Sequence, residues 1–246
     1  MSKIITPLNR IKKINIINTP GMTYSEVTAK YKPDILMNLA VYDTETKTAL
    51  THIIDENVKK GYLFSDYGIG ITGDAKLSWT KHADTSTRDF VSGAPTLVKD
   101  GVKFVDWGNK LSTYINGKHM RSAIGFNDKE LIMYCSDMSL TIDSLVKKML
   151  GFGAKYAINL DGGGSQHLQN GTKFYKKSSR LNTSWLLIYL KTDLEMQFEK
   201  TIVSANGKDY EALLYNGTTY MPVRDLAEAL GKIVSYNSQT KKTTII

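Results

Sequence analysis

Short, unbroken apolar runs recur along the first 190 positions of the chain. Ile35-Leu36-Met37, Gly68-Ile69-Gly70-Ile71, Pro95-Thr96-Leu97-Val98, Leu131-Ile132-Met133-Tyr134, Tyr156-Ala157-Ile158-Asn159-Leu160 and Trp185-Leu186-Leu187-Ile188-Tyr189-Leu190 are too short for helices. They are rich in residues that suit strands. A helical period shows most clearly from Thr141 to Leu150, where Ile142, Leu145, Val146, Met149 and Leu150 fall at i, i+3, i+4, i+7 and i+8. Asp143 sits in the first turn, where the helix dipole favours negative charge, and Gly151 and Gly153 end the helix. Many strands with few long helices between them predict an α+β fold with a mixed sheet, not a doubly wound one.

The pattern changes after Leu190. Lys191-Thr192-Asp193-Leu194-Glu195 reads as a polar linker, which divides the chain into domains 1–192 and 193–246. The second domain is expected to be a small β-β-α-β-β unit. Its strands are separated by turns at Asn206-Gly207 and Asn216-Gly217. A helix from Val223 to Leu230 is stopped by Gly231, and strands at Ile233–Tyr236 and Thr243–Ile246 follow.

Charge follows the same division. The net +8 arises from 26 Lys/Arg against 17 Asp/Glu in residues 1–192 and six against seven in residues 193–246. A basic first domain attracts polyanions, but no Arg/aromatic stripe suggests specific nucleic-acid recognition. Lone Cys135 excludes an internal disulfide and reads as a buried, inert thiol. No run approaches the ~20 apolar residues of a membrane span, and Met1–Pro7 lacks a secretory-signal pattern. The expectation is a product made in the cytoplasm that acts elsewhere only after lysis or as part of a virus particle.

The chemistry-bearing segment is Asp161-Gly162-Gly163-Gly164-Ser165, delivered by the run ending at Leu160. Three glycines after a buried strand signal positive φ or close backbone approach, and their amides suit an anion-binding nest. The carboxylate offers a base, a nucleophile or a metal ligand, and the same composition also suits a plain hairpin turn. Asp137, just past the Leu131 run, reads equally as a strand-end turn residue. With Asp161 it suits a hard cation such as calcium, although no spacing demands a metal. His167 is the histidine nearest the loop, a candidate proton shuttle or packing residue. His52, His82 and His119 carry no motif.

Asn159 to Ser165 spells Asn-Leu-Asp-Gly-Gly-Gly-Ser. Upstream lie Arg121-Ser122-Ala123-Ile124-Gly125, Ser92-Gly93-Ala94-Pro95-Thr96-Leu97-Val98 and Asn38-Leu39-Ala40. In that order these elements resemble the phosphodiester glycosidase family over roughly residues 30 to 190. The chain departs from the family pattern at Leu39 and Ala40 and at Gln166-His167. The resemblance implies hydrolysis of a sugar-1-phosphodiester, whose phosphate leaving group needs little protonation, so that one carboxylate suffices where an ordinary glycosidase uses two.

Asp161 would act at the anomeric carbon, Arg121 would pair with the phosphate and Asn38 would orient sugar hydroxyls. Asp137 would be a second carboxylate. Ser165, Gly162, Gly163, Gly164, Gln166, His167, Ser92 and Gly93 would hold substrate. Gly217 to Gly231 resembles the small domain named after the N-terminal domain of copper amine oxidase, which recurs in Gram-positive cell-wall proteins and phages. Residues 193–246 contain neither His nor Cys, so copper is not expected and an attachment role is. The implied target is an anionic wall polymer such as glycosylated teichoic acid, and the source a phage or prophage. The alternatives are a non-catalytic binder of a phosphate-bearing sugar or nucleotide, or a structural phage component. No feature fixes an oligomeric state.

Overall fold

The computed structural model describes residues 2–55, 58–60, 64–81, 87–107, 117–197, 199–215, 218–240 and 242–246. The chain forms two compact units, Met1–Leu190 and Lys191–Ile246.

Three sheets build the first unit. The six-stranded sheet has the order β1 (Ser2–Pro7), β12 (Glu130–Cys135), β11 (Ser122–Phe126), β13 (Tyr156–Leu160), β9 (Thr96–Lys99) and β10 (Val102–Lys103). A five-stranded sheet runs β15 (Lys173–Lys176), β14 (Leu168–Asn170), β3 (Ile35–Asn38), β16 (Ser184–Leu190) and β2 (Ile11–Asn18). The other five-stranded sheet runs β5 (Val58–Lys60), β4 (Ile53–Asp55), β8 (Asp89–Ser92), β6 (Tyr67–Thr72) and β7 (Lys76–Lys81). The α+β class with few helices holds. The expected mixed sheet does not, because every described ladder is antiparallel.

Alternate residues explain why the runs are unbroken. Leu131 and Met133 of β12 and Ile158 and Leu160 of β13 join a core shared by all three sheets. Ile132, Tyr134 and Ala157 face the other way, onto helix α2 (Ile142–Gly151). In the second sheet Leu186 and Ile188 point to the shared core, whereas Trp185 and Leu187 pack around Val27 of helix α1 (Tyr24–Tyr31). With both faces covered, polar alternation disappears even in antiparallel strands.

Helix α2 buries Ile142, Leu145, Val146 and Met149, the face its spacing foretold. Thr141 caps it by accepting from the Ser144 amide at 3.1 Å, and Gly153 follows at φ +84°. Cys135 is fully buried, and desolvation pushes its thiol up to about 12.

The second unit contains β17 (Glu199–Ala205), β18 (Lys208–Tyr215), β19 (Thr218–Tyr220), α4 (Val223–Ala229), β20 (Val234–Asn237) and β21 (Lys242–Ile245). Asn206 and Gly207 both take positive φ, as a two-residue hairpin turn requires. The expected turn at Asn216-Gly217 lies outside the described residues, and β19 adds one strand to the order read from sequence. Part of the expected linker is helical, since α3 spans Asp193–Gln197. Here the Thr192 side chain accepts from the Glu195 amide, and Glu195 in turn accepts from the Thr192 amide.

Candidate active site

β13 ends at Leu160, and the next five residues are gripped by three separate segments. The Asp161 amide donates to the Leu39 carbonyl at 2.9 Å, and Asn38 Nδ2 donates to the Asp161 carbonyl at 2.9 Å. From a second side the Gly163 amide donates to the Met120 carbonyl at 3.0 Å. From a third, the Gly164 carbonyl accepts from the Ser179 amide at 3.0 Å. Glycine is needed for this closeness: a β-carbon on Gly162 would meet the Met120 carbonyl oxygen at 2.1 Å, and Gly163 takes φ +59°.

These segments wall a cavity of about 470 Å³ whose lining includes Tyr42, His119, Arg121, Asn159, Asp161 and Arg180. Asp161 lines it and is partly exposed. Desolvation raises its carboxyl to about 6. Ser165, the Gly162 amide at 2.9 Å and the Arg180 charge oppose that rise. The Ser165 hydroxyl is buried and favours the charged form, although it falls short of a formed hydrogen bond. Asn159 anchors the wall by donating to the Ala94 carbonyl, and its own Oδ1 is buried without a partner.

The two arginines of the cavity differ. Arg121 is buried, and its Nε and Nη2 donate to the carbonyls of Leu140 and Gly117 at 3.2 and 2.7 Å. Burial lowers its pKa to about 10, so it stays cationic at neutral pH. Its donors brace the wall. Arg180, by contrast, is exposed and lies over the glycine loop, where a β-carbon on Gly164 would come 2.9 Å from its Nε. A guanidinium beside a partly desolvated carboxylate can bind an anion at the carboxylate's side.

A family model described as phosphodiester glycosidase matches residues 34–187, the span that carries this cavity. The chain belongs to the phosphodiester glycosidase family. It is a hydrolase of sugar phosphodiesters. Residues 181–246 match the copper amine oxidase N-terminal domain. None of the curated proteins matches the chain significantly.

Among solved structures, the catalytic domain of zebrafish N-acetylglucosamine-1-phosphodiester alpha-N-acetylglucosaminidase, auto-inhibited by its pro-peptide, is similar with a TM-score of 0.62 and 17% identity. The similarity covers 76% of each chain. A hypothetical protein from Synechocystis has a TM-score of 0.52 at 10% identity over 77% of this chain and 59% of that one. A putative exported protein from Burkholderia pseudomallei also gives 0.52 at 10%, covering 76% and 73%. At such identities the likeness is one of fold.

Within this glycosidase, several residues expected to touch substrate hold the loop instead. Asn38 is buried, with Nδ2 on the Asp161 carbonyl and Oδ1 accepting from the His167 amide at 2.9 Å. Gln166 Nε2 donates to the Arg121 carbonyl at 2.8 Å. His167 is fully buried, stacked on Tyr24 at 4.8 Å and edge-on to Trp185 at 5.4 Å. Its Nδ1 accepts from the Ser178 amide, which assigns the proton to Nε2 facing Gln169. Desolvation lowers its pKa to about 4, so it is neutral above pH 5 and lies outside the cavity lining.

Ser92 and Gly93 also lie off the cavity. Ser92 is an inward residue of β8 that accepts from the His52 amide at 3.2 Å, and Gly93 shapes the bend before Thr96. The anion nest is largely closed, because the amides of Gly162, Gly163 and Ser165 bond to Asp161 Oδ1, Met120 O and Gly162 O. Asp137 is absent from the lining as well. Its exposed carboxylate accepts from Ser2 at 2.8 Å and pairs with Lys176 at 3.1 Å, which hold it well below the usual carboxylate range. Asp137 and Asp161 therefore do not share this cavity as the two ligands of a cation would, and no cluster of three metal-ligating side chains occurs among the described residues.

Arg180 was missed from sequence. Its only local signal is the polar Lys177-Ser178-Ser179-Arg180 stretch between two strand-like runs. His119 reaches the cavity because its amide and the Leu140 carbonyl form an isolated bridge, which sequence spacing does not announce. His82 lies outside the described residues.

Proposed function

We propose that this cavity cleaves a sugar-1-phosphodiester with Asp161 acting at the anomeric carbon, as base toward water or as nucleophile. One observation carries the reading: a carboxylate lifted to about 6 shares a cavity with an exposed guanidinium, that of Arg180. The C1–O bond breaks and its electron pair leaves on the phosphate oxygen. Because a phosphate monoester is a stable anion, no acid need donate a proton. Arg180 stabilises the charge that gathers on the phosphate, and Arg121 adds a second positive charge from the wall. Asn38, Gln166 and His167 hold the loop in register.

The substrate is a phosphate-rich polymer of the bacterial wall, such as glycosylated teichoic acid, met by the enzyme after lysis or from a phage particle. The basic excess of residues 1–192 and the match of residues 181–246 to an appendage domain support this. That domain acts in attachment.

The test is release of free sugar from a sugar-1-phosphodiester by wild type and by Asp161→Asn. Loss of release in the variant is expected, and equal release rejects the assignment. Tight binding without release by the wild type favours capture without turnover. For the appendage, co-sedimentation with purified walls by the full chain and by residues 1–192 should differ, and identical retention removes its role.

A further inference from the structure

A second, open cavity of about 420 Å³ borders the first and shares two of its lining residues, Tyr42 and Arg180. Thr44, Lys47 and Leu181 complete its lining. In a sugar phosphodiester the phosphate stands between the sugar and the leaving group. A residue that pairs with that phosphate must therefore stand between the pocket for one and the pocket for the other. Arg180 is the charged residue common to both cavities.

Among the described residues, the charges lining the outer cavity are one-sided. Lys47 and Arg180 are its ionisable lining groups apart from the Tyr42 phenol. Of the two acids on the loop that carries Lys47, Asp43 accepts from the amides of Glu45 and Thr46 at 2.8 Å each, Glu45 is exposed to solvent, and neither lines either cavity. Those bonds fix the turn that presents Lys47, which sits at φ +57° with its amide on the Asp43 carbonyl at 2.9 Å. Lys47 Nζ is held beside Tyr42, 5.8 Å from the ring centroid, and donates to the Thr44 carbonyl. Leu181, 41% exposed, supplies an apolar patch for a carbon backbone.

We infer that the outer cavity is the leaving-group subsite and that it selects leaving groups carrying a further phosphate, as the next repeat of a phosphodiester polymer does. The inference rests on the reading of the inner cavity as the site of sugar cleavage. Lys47 meets the second phosphate while Arg180 meets the first.

The test uses the full chain and two diesters of one sugar, one with a methyl leaving group and one with a glycerol phosphate leaving group. Their Kd values for Asp161→Asn and their kcat/KM for the wild type are measured. The phosphorylated leaving group should be favoured about fivefold in both, with the preference falling as salt rises. Lys47→Ala should abolish the preference and leave the methyl diester unchanged, and Lys47→Arg should restore it. Equal Kd and kcat/KM for the two diesters, or a preference that survives Lys47→Ala, overturns the inference. Loss of turnover on both diesters by the wild type instead overturns the reading of the inner cavity.

Discussion

Strands β12 and β13 flank β11, run the same way, and place Cys135 and Leu160 opposite the same residue, Ser122. Each then delivers an aspartate, Asp137 two positions beyond the first and Asp161 one beyond the second. Their environments are opposite. Asp137 opens to solvent beside Ser2 and Lys176, which hold its carboxyl low, whereas Asp161 heads a loop gripped by three backbone segments and is raised to about 6 by desolvation. The sheet supplies position; the loops at its end set the two carboxylates in different surroundings.

The sharpest way to break that comparison is to neutralise each acid. Asp161→Asn should lower kcat by about 10²–10⁴-fold, the usual worth of a positioned base. Asp137→Asn should leave kcat within about twofold, since Asp137 and its partners Ser2 and Lys176 lie outside the cavity lining. Sugar release from one diester measures both. Comparable losses would remove the distinction.

The arginines divide along the same line. Arg180→Ala should cost about 10²–10³-fold in kcat while barely shifting thermal stability, as expected for a group that stabilises developing charge from an exposed position. Arg121→Ala should instead cost about 1–3 kcal/mol of stability, because the Gly117 carbonyl loses the guanidinium donor and the Leu140 carbonyl is left with the His119 amide. Melting curves and kinetics on the two variants check this, and the exchanged pattern would make Arg121 the phosphate ligand.

Stability against pH separates the acids next. The folded pKa of Asp161 is above its ordinary value, so the folded state holds this proton more tightly. Its contribution is full below about pH 4 and is lost as pH rises through about 6. Ionised Asp161 therefore costs the fold roughly 3 kcal/mol at pH 7 and above. Asp161→Asn should be more stable than wild type there, and the gap should close near pH 4. Denaturant midpoints across pH 4 to 8 measure it; a constant gap would deny the desolvation.

Asp137 gives the smallest effect and the opposite sign. Its depressed pKa adds stability above the ordinary carboxylate range that fades as pH falls. The carboxylate is about half exposed, so Asp137→Asn should cost under about 1 kcal/mol at pH 7.

Much of this was readable in the chain. The strand into Asp161, the glycines that admit Met120, and the apolar face of α2 are local patterns, and each formed where those patterns put it. What failed depends on partners distant in sequence. Asn38, Gln166 and His167 look like ligand groups because they are polar and adjoin signature elements. Their polar atoms instead meet backbone groups of Asp161, Arg121 and Ser178, which no spacing reveals. Likewise Arg121 adjoins a motif and Arg180 does not, but only the fold shows which guanidinium is spent on carbonyls. A strand with both faces covered also hides its direction, so the antiparallel pairing went unread.

The most direct test of the central claim is the pH dependence of kcat/KM on a sugar-1-phosphodiester. With ionised Asp161 as the reacting group, the rate should rise with unit slope up to about pH 6 and level off above it, and Asp137→Asn should keep the same profile. A rate that stays flat from pH 5 to 8, or whose midpoint moves in Asp137→Asn, would contradict the account.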